Sequence, residues 1–206
     1  MNFKYKRLIW TLTLILISTI LSAAKIVVLP QGGAVTYFSL LILWLIPFIF
    51  GFRYGVVICV LFGFVKLGIT IITNEYVNYN IFSLILEYPI ACGSFAFGAL
   101  IKEPAKNDSD SFIKEEPFRL KAGYIIGISG ALVFYIISAV LFYPADRDGF
   151  FNNLLYCISY DASYLMFEAI ITIILLCVPA VSESIYYLKH ILTINNGEHD
   201  DTLEYF

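Results

Sequence analysis

The strongest constraint on this chain is a series of apolar segments, each about as long as a bilayer is thick. Crossing the hydrocarbon core of about 30 Å takes roughly 20 helical residues. A backbone in lipid must satisfy its hydrogen bonds within the segment, which favours helices. The sequence therefore predicts an all-α membrane protein with six transmembrane helices, approximately at 8–28, 34–52, 56–73, 80–101, 122–143 and 155–181.

Composition agrees with this prediction. Of the 206 residues, 60% are apolar and 14% are charged, whereas a soluble domain is about half apolar and a quarter charged. A water-soluble core of this size could not bury that excess, and a net charge of −3 offers no basic surface for nucleic acid. These values exclude a soluble enzyme or a nucleic-acid-binding protein. We expect one integral membrane domain over 1–206, with a disordered polar tail at 195–206.

The distribution of basic residues predicts the orientation. With the N-terminus inside, the outer segments carry only Lys25 and Arg147, and Lys66 lies within a span. The other ten of the 13 Lys and Arg residues fall in predicted cytoplasmic segments: Lys4, Lys6, Arg7, Arg53, Lys102, Lys106, Lys114, Arg119, Lys121 and Lys189. This positive-inside bias predicts that the N- and C-termini are cytoplasmic. A solvated inner loop is expected at 102–118, and a tight hairpin of helices around Pro30–Gly33.

Cysteine and histidine give no sign of a metal centre. No Cys-x-x-Cys pair occurs, and the cysteines lie in apolar surroundings, as small core residues do. The two histidines, His190 and His199, fall in the polar C-terminal region. The sequence therefore predicts neither a metal site nor a cofactor.

Ionisable residues inside spans are costly and tend to mark function. Four occur here: Lys66, Glu87, Asp161 and Glu168. They are accompanied by tyrosines at positions 88, 135, 143, 156, 160 and 164. More of these residues fall in the outer half of the membrane than in the inner half, which indicates a cavity open to the exterior. Three carboxylates and many aromatic rings would suit a planar cation held by ion pairing and cation–π attraction. The alternatives are a Lys66–Glu87 ion pair and an interfacial tyrosine belt.

Several short segments, spread over 29–168, resemble those of one transporter family. LPQGGAVT at 29–36 with FRYG at 52–55 is similar to the family's LPxGGxVT and RYG stretch. LEYP at 86–89 resembles its [DE]YP segment, and ISAVLFY at 137–143 its ISGVIFW run. YCISYDASYL at 156–165 resembles YSLLYNGSYL, and Glu168 falls where the family also has an acid. The family is the thiamine-specific S component (ThiT) of energy-coupling factor (ECF) transporters.

The resemblance implies a multi-pass subunit of the cell membrane that captures a vitamin from outside. It would associate with a transmembrane coupling protein and two ABC-type ATPases. The loop joining the first two spans would cover the ligand, which makes Gln31, Gly32 and Gly33 a lid whose glycines permit unusual backbone angles. On the first helix, Ser18/Ser22 and Thr19/Ala23 are spaced for close approach of another helix.

Carried over position by position, the resemblance gives a substrate site with several departures. Glu87, Tyr88 and Tyr156 match family residues that line the pocket. The family's histidine, tryptophan and asparagine are replaced by Tyr135, Tyr143 and Asp161, and a basic residue becomes Ala131. Tyr135 and Tyr143 keep an aromatic face at their positions. Asp161, when ionised, adds a negative charge and can only accept hydrogen bonds. The expected ligand is thiamine or a related cationic vitamin or precursor.

The sequence also bears on other possible functions. No phosphate-binding G-x-x-x-x-G-K-[ST] loop exists, since Gly63–Thr70 lacks its lysine, so partner proteins would supply ATP hydrolysis. An S component for a different vitamin remains open. An intramembrane enzyme using Glu87, Glu168 or Asp161 is disfavoured because no span contains histidine, and a structural membrane protein is the last alternative. The expectation is a transport subunit that is not an enzyme.

Overall fold

A computed structural model describes residues 3–29, 33–73, 78–101, 118–143 and 149–194. Its elements are predominantly helical. They are α1 (Phe3–Ala23), β1 (Lys25–Val28), β2 (Ala34–Thr36), α2 (Ser39–Phe50), α3 (Phe52–Ile72), α4 (Ile81–Leu100), α5 (Phe118–Phe142), α6 (Phe150–Leu176) and α7 (Pro179–Ile194). The prediction of an all-α membrane protein is thus borne out in its main features.

Five helices in the described ranges are long and apolar enough to cross a membrane: Lys4–Ala23, Phe52–Ile72, Ile81–Leu100, Phe118–Phe142 and Phe150–Leu176. The second predicted span, 34–52, is not confirmed, because the helix within it, α2, has only 12 residues. At 1.5 Å per residue this helix is about 18 Å long. Eleven of its 12 residues are buried, as expected for a helix enclosed by others rather than by lipid.

The connection between the first two predicted spans is a β-hairpin, so the predicted hairpin of helices is wrong. α1 ends at Ala23 instead of continuing to Val28. The next residues form an antiparallel pair, with Val28 opposite Ala34 and Lys25 opposite Thr36. The run Lys25–Val28 is rich in β-branched side chains, which favour strands over helices.

Helix α2 forms the centre of the core. Trp44 is fully buried and its indole Nε1 donates a hydrogen bond to the Leu120 carbonyl of α5 at 3.1 Å. Gly98 of α4 and Gly123 of α5 face each other beside this ring, and a Cβ at either position would collide with the other backbone or with Trp44. The two glycines therefore let three helices meet around one tryptophan.

Helix α4 is irregular where it carries the sequence LEYP. Residues Leu86–Ile90 form a π-helical turn that contains Pro89, and Ser94–Leu100 continues as a 3₁₀-helix. Proline lacks the N–H that a regular helix needs, and π-turns are frequent at functional sites. Gly63 of α3 packs directly on the backbone of this turn at Tyr88 and Pro89. The turn therefore sets the direction of the Glu87 side chain.

The sixth predicted span, 155–181, also differs from the structure. α6 covers Phe150–Leu176, and a separate helix, α7, begins at Pro179. Tyr186 of α7 packs edge-on against Phe48 of α2 at 5.5 Å between ring centroids, and Lys189 Nζ lies 5.0 Å from the centroid of the Phe48 ring. The predicted inner loop and tail lie outside the described residues almost entirely, and the predicted orientation stays a prediction.

Candidate ligand-binding site

Glu87, on the π-turn of α4, accepts hydrogen bonds from three hydroxyl groups. Ser83 and Ser138 donate to Oε1 at 2.9 and 2.7 Å, and Tyr143 donates to Oε2 at 3.3 Å. Ser83 comes from the preceding turn of α4, Ser138 lies near the end of α5, and Tyr143 directly follows that helix. The carboxylate therefore joins the two helices, and Tyr143 is brought to Glu87 as a hydrogen-bond donor.

A second carboxylate, Asp161, lies on α6. Its Oδ1 accepts a hydrogen bond from Tyr164 at 3.2 Å. Its Oδ2 is buried, and within the described part of the chain it has no hydrogen-bond partner. Asp161 is only 6% exposed, and leaving a buried acceptor unpaired costs about 1–3 kcal/mol. The site thus contains one carboxylate oxygen that is placed to accept a donor from another molecule.

A row of tyrosine rings extends from Asp161 along α6 and to Tyr135 of α5. Tyr135 of α5 lies 6.5 Å from Tyr164 between ring centroids. It is close enough to Glu87, Asp161 and Tyr88 to interact with each electrostatically. The rings continue along α6 in two steps of 6.0 Å, from Tyr164 to Tyr160 and from Tyr160 to Tyr156.

The predicted site residues form two sets of direct contacts: Glu87 with Tyr143, and Asp161, Tyr135 and Tyr156 through Tyr160 and Tyr164. Tyr88 follows Glu87 on the π-turn. Glu87 and Asp161 also interact electrostatically with each other. The helices α4, α5 and α6 each contribute to this region, which we call the carboxylate–tyrosine cluster. Its members are Glu87, Tyr88, Tyr135, Tyr143, Tyr156, Asp161, Tyr160 and Tyr164.

The alternative in which Lys66 pairs with Glu87 is not observed. Among the described residues, the groups bonded to Glu87 are the three hydroxyls and not an ammonium. Lys66 is half-buried on α3, and its charge lies within electrostatic range of Glu168. The negative charge of Glu87 is therefore not neutralised by a direct ion pair with Lys66.

Of the predicted lid, Gly33 is described, while Gln31 and Gly32 lie outside the described residues. The Gly33 N–H donates to the Tyr160 hydroxyl at 3.3 Å. A Cβ at Gly33 would be 2.8 Å from the Tyr164 ring. The segment leading into β2 therefore lies directly on the tyrosines of α6, and only glycine fits there without a shift.

Two contributors were missed in the sequence, Ser83 and Ser138. Ser138 lies within the quoted segment 137–143, and Ser83 is one helical turn before Glu87, so spacing could have indicated both. Small hydroxyl residues are common on helices in membranes, however, and carry no distinctive signal. Glu168 and Ala131 are both buried; Glu168 binds Thr36 of β2 through both carboxylate oxygens.

These features define a multi-pass, all-α membrane protein with an aromatic, acidic site among its helices. The sequence model of the family described as "Thiamine transporter protein (Thia_YuaJ)" matches residues 9–187. The chain therefore belongs to the thiamine transporter family, and the resemblance to the thiamine-specific S component is confirmed. Neither the curated proteins nor the solved structures contain a significant match.

Proposed function

We propose that this protein is the substrate-binding subunit (S component) of an ECF-type importer, and that it captures thiamine or a related cationic vitamin from outside the cell. The family supports a thiamine-like substrate. In the proposal the chain is a multi-pass protein of the cell membrane with both termini in the cytoplasm. A coupling protein and two ABC-type ATPases provide the energy, and the chain itself catalyses no reaction.

The observation that carries the proposal is the pairing of two carboxylates with a row of tyrosine rings. Glu87 and Asp161 provide negative charge, and the rings provide faces for cation–π attraction worth about 0.5–2 kcal/mol. The buried Oδ2 of Asp161 could accept a hydrogen bond from a donor such as a ligand N–H. A planar cation with an amino group, as in thiamine, meets both requirements.

The departures from the family pattern concern which cationic vitamin binds best. Tyrosine at 135 and 143 keeps aromatic faces but binds cations less well than tryptophan does. Asp161 in place of asparagine favours a ligand with more positive charge or more N–H donors. An S component for a different cationic vitamin is the second candidate, and these replacements are the reason to consider it.

The proposal is tested by thermal unfolding of the detergent-solubilised protein with a panel of ligands. A ligand at 100 times its Kd that binds only the folded state stabilises it by about 2.7 kcal/mol. We expect a rise in Tm with thiamine or its pyrimidine precursor, and none with a neutral vitamin such as riboflavin. An equal rise in Tm with all three ligands, or no rise with any of them, would contradict the proposal.

Import is tested separately. Proteoliposomes that contain the chain with a coupling protein and both ATPases should accumulate labelled thiamine only when ATP is present on the ATPase side. Accumulation by the chain alone would contradict the dependence on partner ATPases. Native mass spectrometry of the purified protein would identify a vitamin that remains bound during purification.

A further inference from the structure

We infer that Glu168 is a positioning residue that clamps β2, and with it Gly33, against α6; this inference rests on the proposed function. Thr36 of β2 donates its backbone N–H to Glu168 Oε2 at 3.1 Å. Its hydroxyl donates to Oε1 at 2.9 Å. Glu168 is 3% and Thr36 9% exposed, so both bonds lie away from water. One carboxylate therefore holds one strand residue at two points.

A chain of hydrogen bonds continues from Thr36 through Ser39 to Ser18 of α1. A threonine hydroxyl has a single hydrogen, and that of Thr36 goes to Glu168. The 2.6 Å contact between the Thr36 and Ser39 hydroxyls must therefore be a bond that Ser39 donates. Ser18 of α1 in turn donates to the Ser39 carbonyl at 2.8 Å. Ser18 is fully buried, and at this position the helix that approaches α1 closely is α2 of the same chain.

The spacing along α6 shows how Glu168 acts on the site. Tyr160, Tyr164 and Glu168 are four residues apart, which places them on one face of the helix. Gly33 contacts the two tyrosines, and Thr36 contacts Glu168. From Gly33 to Thr36 an extended strand covers about 10 Å, and from Tyr160 to Glu168 a helix covers about 12 Å. The strand therefore lies along α6 and is fixed at both ends.

A carboxylate suits this arrangement because it offers a separate oxygen to each of two donors. The Thr36 N–H and hydroxyl bond different oxygens of Glu168, whereas an amide has an NH2 group, which is a donor, in place of one of these oxygens. A buried carboxylate is costly unless it is fully hydrogen-bonded, and here both of its oxygens are bonded. Glu168 is not a member of the carboxylate–tyrosine cluster. It acts on the cluster indirectly, because by holding β2 it sets how closely Gly33 packs on Tyr160 and Tyr164.

Hydrogen exchange of the ligand-free, full-length protein in detergent tests the clamp. In Glu168→Gln we expect amide exchange in the peptide covering 25–38 to become about ten-fold faster, since one charge-assisted bond is lost. Exchange in α3 and α5 should not change. The matched control is Glu183→Gln, an exposed glutamate of α7. Equal exchange at 25–38 in the native protein and in Glu168→Gln overturns the clamp.

Thiamine dissociation then tests the effect on the site. We expect Glu168→Gln to raise the dissociation rate about ten-fold, and Thr36→Val, which keeps the backbone N–H, to raise it about three-fold. The double variant should dissociate no faster than Glu168→Gln alone, because both changes act on one contact. Additive effects overturn the inference.

Two further outcomes keep the inference and the proposed function distinguishable. If Glu168→Gln does not fold, Thr36→Val carries the test, and unchanged exchange in that variant overturns the clamp. If the native protein does not bind thiamine, the proposed function fails together with the effect on binding, while exchange at 25–38 still decides whether Glu168 holds β2.

Discussion

Ser138 donates its hydroxyl to Glu87 Oε1 over 2.7 Å, and this bond joins α5 to the irregular turn of α4. The two residues are 51 positions apart in the sequence. Ser138 is fully buried, and its oxygen also lies 2.8 Å from that of Ser83. The carboxylate is thus held in one orientation by two serines on different helices.

The first prediction concerns the charge of Glu87. We expect Glu87→Gln to weaken thiamine binding about ten- to a hundred-fold, because a hydrogen bond to a charged group contributes about 1.5–3 kcal/mol. The measurement is the thiamine-induced rise in Tm, with Glu183→Gln as the control. Equal rises in the two variants would show that Glu87 does not contact the ligand.

The second prediction concerns the serine that orients this carboxylate. Ser138→Ala removes one buried donor and should weaken thiamine binding about three- to ten-fold, since a hydrogen bond contributes about 1 kcal/mol. Ser159→Ala is a matched control, because Ser159 is exposed and, among the described residues, its hydroxyl bonds only the Leu155 carbonyl of its own helix. Isothermal titration calorimetry gives both affinities, and a similar loss in the control would contradict a specific role for Ser138.

The third prediction concerns Asp161, whose Oδ2 has no hydrogen-bond partner among the described residues. Substitution there should change stability and binding in opposite directions. Asp161→Asn replaces a buried charge by a neutral amide, which should stabilise the ligand-free protein by about 1 kcal/mol. The same change removes an attraction for a cation and should weaken thiamine binding about ten-fold. Thermal unfolding with and without thiamine measures both, and tighter binding by the asparagine variant would contradict a role for the Asp161 charge.

The fourth prediction concerns the close approach at Gly33. In Gly33→Ala the new Cβ would lie 2.8 Å from the Tyr164 ring and 3.2 Å from the Tyr160 hydroxyl, so the strand or the rings must move. We expect thiamine to dissociate about ten-fold faster, which corresponds to a loss of about 1.4 kcal/mol in binding free energy. Gly68→Ala is the control: no atom of the described residues lies within 4 Å of a Cβ there, and alanine should stabilise α3 by up to about 1 kcal/mol.

The fifth prediction concerns the aromatic face at Tyr143, which lies within hydrogen-bonding distance of Glu87. Tryptophan is the better partner for a cation, so Tyr143→Trp should tighten thiamine binding about three-fold. Tyr187→Trp, at an exposed position of α7, should leave the affinity unchanged. Unchanged thiamine affinity in Tyr143→Trp would instead favour the alternative that Tyr143 belongs to a belt of tyrosines at the membrane interface.

Much of the fold could be predicted from hydropathy, but hydropathy only counts apolar residues. It does not distinguish a segment surrounded by lipid from one surrounded by protein, and so it predicts a span at the buried helix α2. It also does not distinguish strand from helix, and so it extends the first span over the β-branched run at Lys25–Val28. It likewise gives no sign of the break between α6 and α7.

The sequence by itself determined the class of protein and the residue types of the site. Apolar runs require a membrane, and acids and tyrosines within them are costly enough to indicate function. Only the tertiary structure decided which of these groups meet. Glu87 is bonded to serines rather than to Lys66, and Glu168 holds Thr36 across 132 positions of sequence. Such pairings depend on how helices pack and on a π-turn that re-aims one side chain, and neither is encoded in the local periodicity of a single segment.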